Sequence, residues 1–394
     1  MKLVFLVCLT FIFLAGCNSK KNESQIYKVR IPLSDEKGHY SLQTVELHNV
    51  KDLSAMSTST SYIRTDGTES EESVDDTGVK IKKYEMGNSP NANFIKAGDV
   101  YVAGDALTLS MATATYHMEN IKKFFDAFGA NIDQTFPKAM LFNMNKTGSS
   151  ASGQTSEINN AAYNPIFDVF EYVPYKMENI SLVYNGGVHA HEFSHSVFFK
   201  NNKRNGLDLN EKLKPLKYNK FTAAFYSIEK SYVNEWQDSQ LTETVSTNLS
   251  DNLSETKKAE IANISISELL VANYMMLRSL DEGIADFFGY EYSKKNPDFL
   301  LASAPAQTFR SLSEVKQFSS NRTEQLLRIT EAIKNQELNA GELEHVWGAY
   351  VAHFFYLVSK EVGDDQAKQL AFEFEGTLSR WMADKMNLEF FAME

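Results

Sequence analysis

The chain has 394 residues, a formal net charge of −12, 43% hydrophobic and 12% aromatic residues, and two cysteines. That is enough apolar material for one large core or two modest lobes without covalent staples. The acidic balance argues against a nucleic-acid partner and against electrostatic docking on anionic lipid.

Lys2 precedes an apolar run from Leu3 to Leu14 that only Cys8 and Thr10 interrupt. The run is too short for a stable bilayer span and reads as a signal peptide over residues 1–16. It ends in Leu14-Ala15-Gly16-Cys17, which resembles the bacterial lipobox. The resemblance implies an exported protein that begins at an acylated Cys17. Its acyl chains would hold it in the bacterial cell envelope, at the outer membrane or cell surface. With Cys8 removed and Cys17 lipidated, no thiol is left for a disulfide or a metal, so any metal must sit on histidine and carboxylate.

Residues 17–56 are expected to form a tether and a small β-hairpin. Apolar and polar residues alternate over Ile26–Leu33 and Tyr40–Leu47, and Asp35-Glu36-Lys37-Gly38 supplies turn chemistry between them. Residues 57–95 read as a low-complexity linker, because Ser57 to Asp76 is rich in Ser, Thr and acidic side chains. From Asp105 to Phe128 the apolar positions recur at helical spacing and Gly129 offers a stop. Lys138–Met144, Ala161–Val173 and Ile180–Tyr184 carry β-branched and aromatic residues and suggest a sheet. Beyond Lys200, helices are expected at Phe221–Trp236, Glu255–Ile264, Ser267–Arg278, Thr323–Lys334, His345–Lys360 and Asp365–Met386.

The strongest chemical signal is His191-Glu192-Phe193-Ser194-His195. The i, i+4 spacing places both imidazoles on one helix face, close enough to grip a single ion. Zinc catalysis wants three protein ligands and an open position for water. Glu282-Gly283-Ile284-Ala285-Asp286 offers the third: Glu282 can bind the ion, and Asp286, one turn on, can accept the outer N–H of a ligand histidine.

Together, HEFSH and Leu280-Asp-Glu-Gly-Ile-Ala-Asp-Phe-Phe-Gly289 resemble the gluzincin metallopeptidases, nearest to the thermolysin and fungalysin types. The resemblance covers roughly residues 105–200 and 278–359. It implies an α+β, two-lobed zincin-like fold. An N-lobe with a twisted sheet and the active-site helix would span 96–200, followed by a helical insert over 201–272 and a mainly helical C-lobe over 273–394. It implies a zinc-dependent endopeptidase acting on peptide or protein substrates, with His191, His195 and Glu282 on the metal, Glu192 as catalytic base and Asp286 orienting His191. Asn159-Asn160-Ala161-Ala162 is similar to the edge strand that binds substrate in that family, which assigns Asn160 and Ala161 to the peptide. His345, at the head of His345-Val-Trp-Gly-Ala-Tyr, matches the histidine that stabilises the oxyanion. His189 and His353 receive no role.

Glu282 lies 87 residues beyond His195, a longer interval than the family's usual few tens. Calcium is a further expected ligand, since the acidic composition leaves room for it. Two other readings stand beside the endopeptidase. One is an aminopeptidase of the same metal class, echoed in Leu280-Asp-Glu-Gly-Ile-Ala and faintly in Met177-Glu178-Asn179. The other is a noncatalytic surface lipoprotein that binds a peptide or partner.

Overall fold

A computed structural model describes residues 25–73, 80–130, 134–150, 153–156, 160–174, 181–205, 266–301, 304, 307–314 and 340–384. Its strands are β1 (Gln25–Ser34), β2 (Tyr40–Val50), β3 (Ser61–Thr65), β4 (Thr68–Ser73), β5 (Lys80–Glu85), β6 (Phe94–Ala97), β7 (Val100–Ala103), β8 (Lys138–Phe142), β9 (Asn145–Ser150), β10 (Gly153–Ser156), β11 (Ala161–Asn164) and β12 (Val169–Tyr172). Its helices are α1 (Ala106–Asp126), α2 (Gly186–Arg204), α3 (Ile266–Tyr292), α4 (Ala340–Val362) and α5 (Asp364–Asp384). The architecture is mixed, with the strands gathered in the first half and three of the helices in the second, as an α+β chain requires.

The hairpin forms where alternation places it. Asp35 accepts the N–H groups of Lys37 and His39 through its carboxylate, and Gly38 takes a positive φ of 79°. The hairpin is not a separate unit, however: β1 also pairs in parallel with β7, giving the order β2-β1-β7-β6.

The expected linker over 57–95 is overturned, because β3, β4, β5 and β6 fall within or across it. Hydroxyls that find partners are at home in a sheet. Thr58 Oγ1 accepts from the N–H of Thr60 at 3.1 Å and of Ser61 at 3.0 Å. The strand that β3 pairs with, β8, arrives much later in the chain, so local composition could not announce the pairing. A second correction concerns residues 180–184. Leu182–Tyr184 is a 3-10 turn, not a strand, and it leads directly into α2. Ala161–Val173 is a hairpin whose turn is closed by Asn164 Oδ1 accepting the Ile166 N–H at 3.1 Å.

β11 lies at one edge of the sheet ordered β11-β12-β8-β3. α1 runs from the N-cap Asp105, whose carboxylate accepts the Thr108 N–H at 2.7 Å, and the chain leaves it through Gly129 at φ 77°. A continuous core joins β1 to α5. Phe193 of α2 is fully buried among Phe125, Phe136 and Phe170, a burial that stabilises by about 1.5–3 kcal/mol. α2 thereby touches α1, α3, α5 and β11 at once, and its residues from Gly186 to Phe198 are all buried.

Of the C-terminal expectations, Ser267–Arg278 extends to Tyr292, His345–Lys360 lies inside α4, and Asp365–Met386 becomes α5. Cys17, the signal segment, most of the 201–272 insert and the helices expected at 221–236, 255–264 and 323–334 lie outside the described residues. No described helix is long and apolar enough to cross a membrane.

Candidate functional site

α2 starts where Asn185 accepts the Gly187 N–H at 3.0 Å through its side chain. Gly187 is required by contact, because a Cβ there would lie 2.3 Å from Phe299 Cδ2. Two turns on, His191 and His195 point their Nε2 atoms at one another, 3.0 Å apart, with the rings nearly perpendicular. α3 brings Glu282 between them: Oε2 is 3.3 Å from His191 Nε2 and Oε1 is 3.5 Å from His195 Nε2. All three residues are buried, and together they form a group that could hold a metal ion.

The spacing fits such an ion. Tetrahedral ligands at about 2.0–2.1 Å from a cation stand roughly 3.3 Å from each other, close to the 3.0 Å between the two Nε2 atoms and the 3.3 Å from His191 Nε2 to Glu282 Oε2. Glu282 Oε2 supports the same fit. It is buried, has nitrogens of His191, His345 and Arg310 around it, and is aligned for a hydrogen bond with none of them. A lone pair directed at a shared cation accounts for an oxygen left in that state.

Behind each imidazole stands a carboxylate on α3. Asp286 Oδ1 is 3.0 Å from His191 Nδ1, and Asp281 Oδ1 is 2.8 Å from His195 Nδ1. The hydrogen bond to Asp281 makes Nδ1 the proton-bearing nitrogen of His195 and leaves its Nε2 for the ion, while Asp286 sets a negative charge beside His191 Nδ1. Two arginines back the carboxylates, Arg310 buried and Arg278 part-buried. Arg310, on the 3-10 turn Thr308–Arg310, donates to both oxygens of Asp286, and Arg278 donates to Asp281 and Glu282.

These charges set the protonation of the metal-free site. Burial alone would depress His191, but Asp286 and Glu282 overcome it and lift its pKa to about 10. Burial opposes His195 likewise, yet Asp281 and Glu282 raise it. Burial would push Asp286 up, but Arg310 and His191 bring it down to about 2. Glu282 is held well below the usual carboxylate range, against its own burial, by the surrounding histidines.

Glu192, 8% exposed, leans toward the edge strand, and its Oε2 accepts the Tyr163 N–H at 2.8 Å. Tyr163 is anchored in turn, its hydroxyl donating to Asp168, which also binds Lys138 and Lys200. Ala161 and Tyr163 share a parity on β11, so their backbone groups face the free side of the strand. The Ala161 N–H there is taken by Asn160 Oδ1 at 2.9 Å, so the Asn160 amide is folded onto its own strand.

His345 reaches the site from α4, its side chain 27% exposed, but rests 3.0 Å from Glu282 Oε2 through Nδ1. His353 is a core residue whose Nδ1 meets the Leu312 carbonyl at 2.9 Å. His189 is buried between the Tyr172 hydroxyl and the Val183 carbonyl and stacks on His117. Asp281, Arg278, Arg310 and Tyr163 complete the site without having been singled out from sequence. Asp281 and Arg278 were detectable, lying one and four residues before Glu282 on a helix. Arg310 and Tyr163 carried no such signal. Among the described residues no second cluster of metal-ligating side chains occurs, so none marks a calcium site.

No protein-family model, no curated protein and no solved structure matches the chain.

Proposed function

We propose that the chain is a zinc-dependent endopeptidase of two-lobed zincin architecture, exported and held in the bacterial cell envelope by lipid on Cys17. The observation that carries this reading is the meeting of Glu282 with His191 and His195, from 87 positions further along the chain than His195, beside a carboxylate that is not one of the three. A buried pair of histidines with one glutamate and an adjacent free base is the donor set of metal-assisted hydrolysis.

Zinc, when bound, supplies Lewis acidity and lowers the pKa of its water to about 7. Glu192 takes the proton of the attacking water and returns it to the leaving amine. The Tyr163 N–H keeps the reactive carboxylate pointed at the junction of α2 and β11. An extended peptide adds to the outer side of β11 as a further strand, pairing with Ala161 as the Asn160 amide swings off its N–H to bond the peptide instead. His345, the most exposed imidazole of the site, turns from Glu282 to donate to the developing oxyanion.

The test is metal analysis of the purified chain together with digestion of casein and a peptide library, with and without chelator. About one zinc per chain and chelator-sensitive internal cleavage are expected, the stoichiometry following from a single three-ligand site. A chain that retains no metal and cleaves nothing would sink the reading.

A further inference from the structure

Arg278 takes no part in the chemistry above, yet among the described residues it is the cation that hydrogen-bonds both Glu282 and a carboxylate standing behind a histidine of the group. It sits on α3 at the i, i+3 and i, i+4 positions relative to Asp281 and Glu282. Nη1 meets Asp281 Oδ2 at 2.5 Å and Nη2 meets Glu282 Oε1 at 3.1 Å, while Nε faces Glu344 Oε2 at 3.6 Å. The other oxygen of Asp281 holds His195 Nδ1. One planar guanidinium therefore ties down a carboxylate directly and an imidazole through its partner.

We infer that Arg278 is a positioning residue that makes Glu282 a one-oxygen ligand. With Oε1 engaged by the guanidinium, only Oε2 is left for the ion, and a fourth position stays open. A positive charge this close to the carboxylate does nothing to strengthen its hold on a cation, so the benefit lies in geometry. A fork of fixed angle is needed, because a lysine presents a point charge and reaches one acceptor at a time. Without the fork, Glu282 can rotate and present both oxygens, and Asp281 loses its orientation toward His195. The inference rests on reading His191, His195 and Glu282 as a metal site.

The experiment uses the full chain and its Arg278→Met and Arg278→Lys variants, each loaded with Co2+ and followed by visible absorption. Zinc affinity is measured in parallel by competition with a chromophoric chelator. Wild type is expected to give the intense d–d bands of four-coordinate cobalt. In Arg278→Met those bands should weaken severalfold as the coordination number rises, and zinc affinity should fall about 10- to 100-fold. Arg278→Lys should restore neither. Unchanged bands and affinity in Arg278→Met overturn the inference while leaving the metal site standing. If that variant does not fold, wild-type bands in Arg278→Lys overturn it equally. Failure of the wild-type chain to take up either ion removes the metal reading and this inference with it.

Discussion

Gly283 and Gly348 bring α3 and α4 into backbone contact directly beside Glu282: a Cβ on Gly283 would lie 2.3 Å from the Gly348 carbonyl oxygen. The reverse approach is also too close for a side chain, since a Cβ on Gly348 would lie 2.9 Å from Glu282 Cβ. Gly283→Ala is expected to force the helices apart, at a cost of about 1–3 kcal/mol for overpacking. Because the displaced α3 carries Glu282 while His191 and His195 stay on α2, zinc affinity should fall along with the melting temperature. A variant that melts early but binds zinc normally would show that the contact serves stability alone.

Glu192→Gln preserves the shape of the side chain and removes its basicity. Zinc content should remain at the wild-type level while kcat/KM drops by about 10²- to 10⁴-fold, the usual contribution of a positioned acid–base group. Metal analysis and peptide hydrolysis on one preparation check both halves. Substantial turnover by this variant would remove Glu192 from the mechanism.

Metal uptake should be coupled to proton release. His191 in the metal-free chain has a pKa of about 10, above its ordinary 6.5, because Asp286 and Glu282 outweigh its burial. A raised folded value stabilises the metal-free fold fully below about 6.5, and that contribution is lost as pH rises through about 10. At neutral pH the ion must displace this proton, so apparent zinc affinity should climb with pH up to that range. Calorimetric titrations in buffers of different ionisation enthalpy measure the protons released; zero release would contradict the charge arrangement of the site.

On the acid side, His189 is the group to watch. Burial holds it down to about 4, against the pull of its bond to the Val183 carbonyl, and burial holds its neighbour His117 well below 6.5. A depressed histidine leaves stability intact above 6.5, and the loss runs as pH falls from there through about 4. The midpoint of urea unfolding of the zinc-free chain should therefore decline across that window. His189→Gln should make the decline shallower.

How much of this was legible beforehand follows from the range of each interaction. α1, with Asp105 before it and Gly129 after it, needs only its own residues to declare itself, and so does the β1–β2 hairpin. β3 does not: Tyr62 and Ile63 sit in a stretch of Ser and Thr, and its partner β8 comes from another part of the chain. Composition read the stretch as loose because hydroxyls bonded to a neighbouring backbone look the same in sequence as hydroxyls bonded to water.

The same division holds within the site. The sequence by itself determined that His191 and His195 would share a helix face, that Glu282 and Asp286 would lie one turn apart, and that Cys8 and Cys17 would be the only thiols, since the period of a helix and the inventory of side chains are local properties. Only the tertiary structure decided that α3 would lay Glu282 between the two imidazoles, that Asp281 as well as Asp286 would stand behind them, and that Arg310 and the Tyr163 N–H would close the cluster. Those contacts join elements far apart in the chain, and packing of the shared core, not any residue spacing, sets the distances between them.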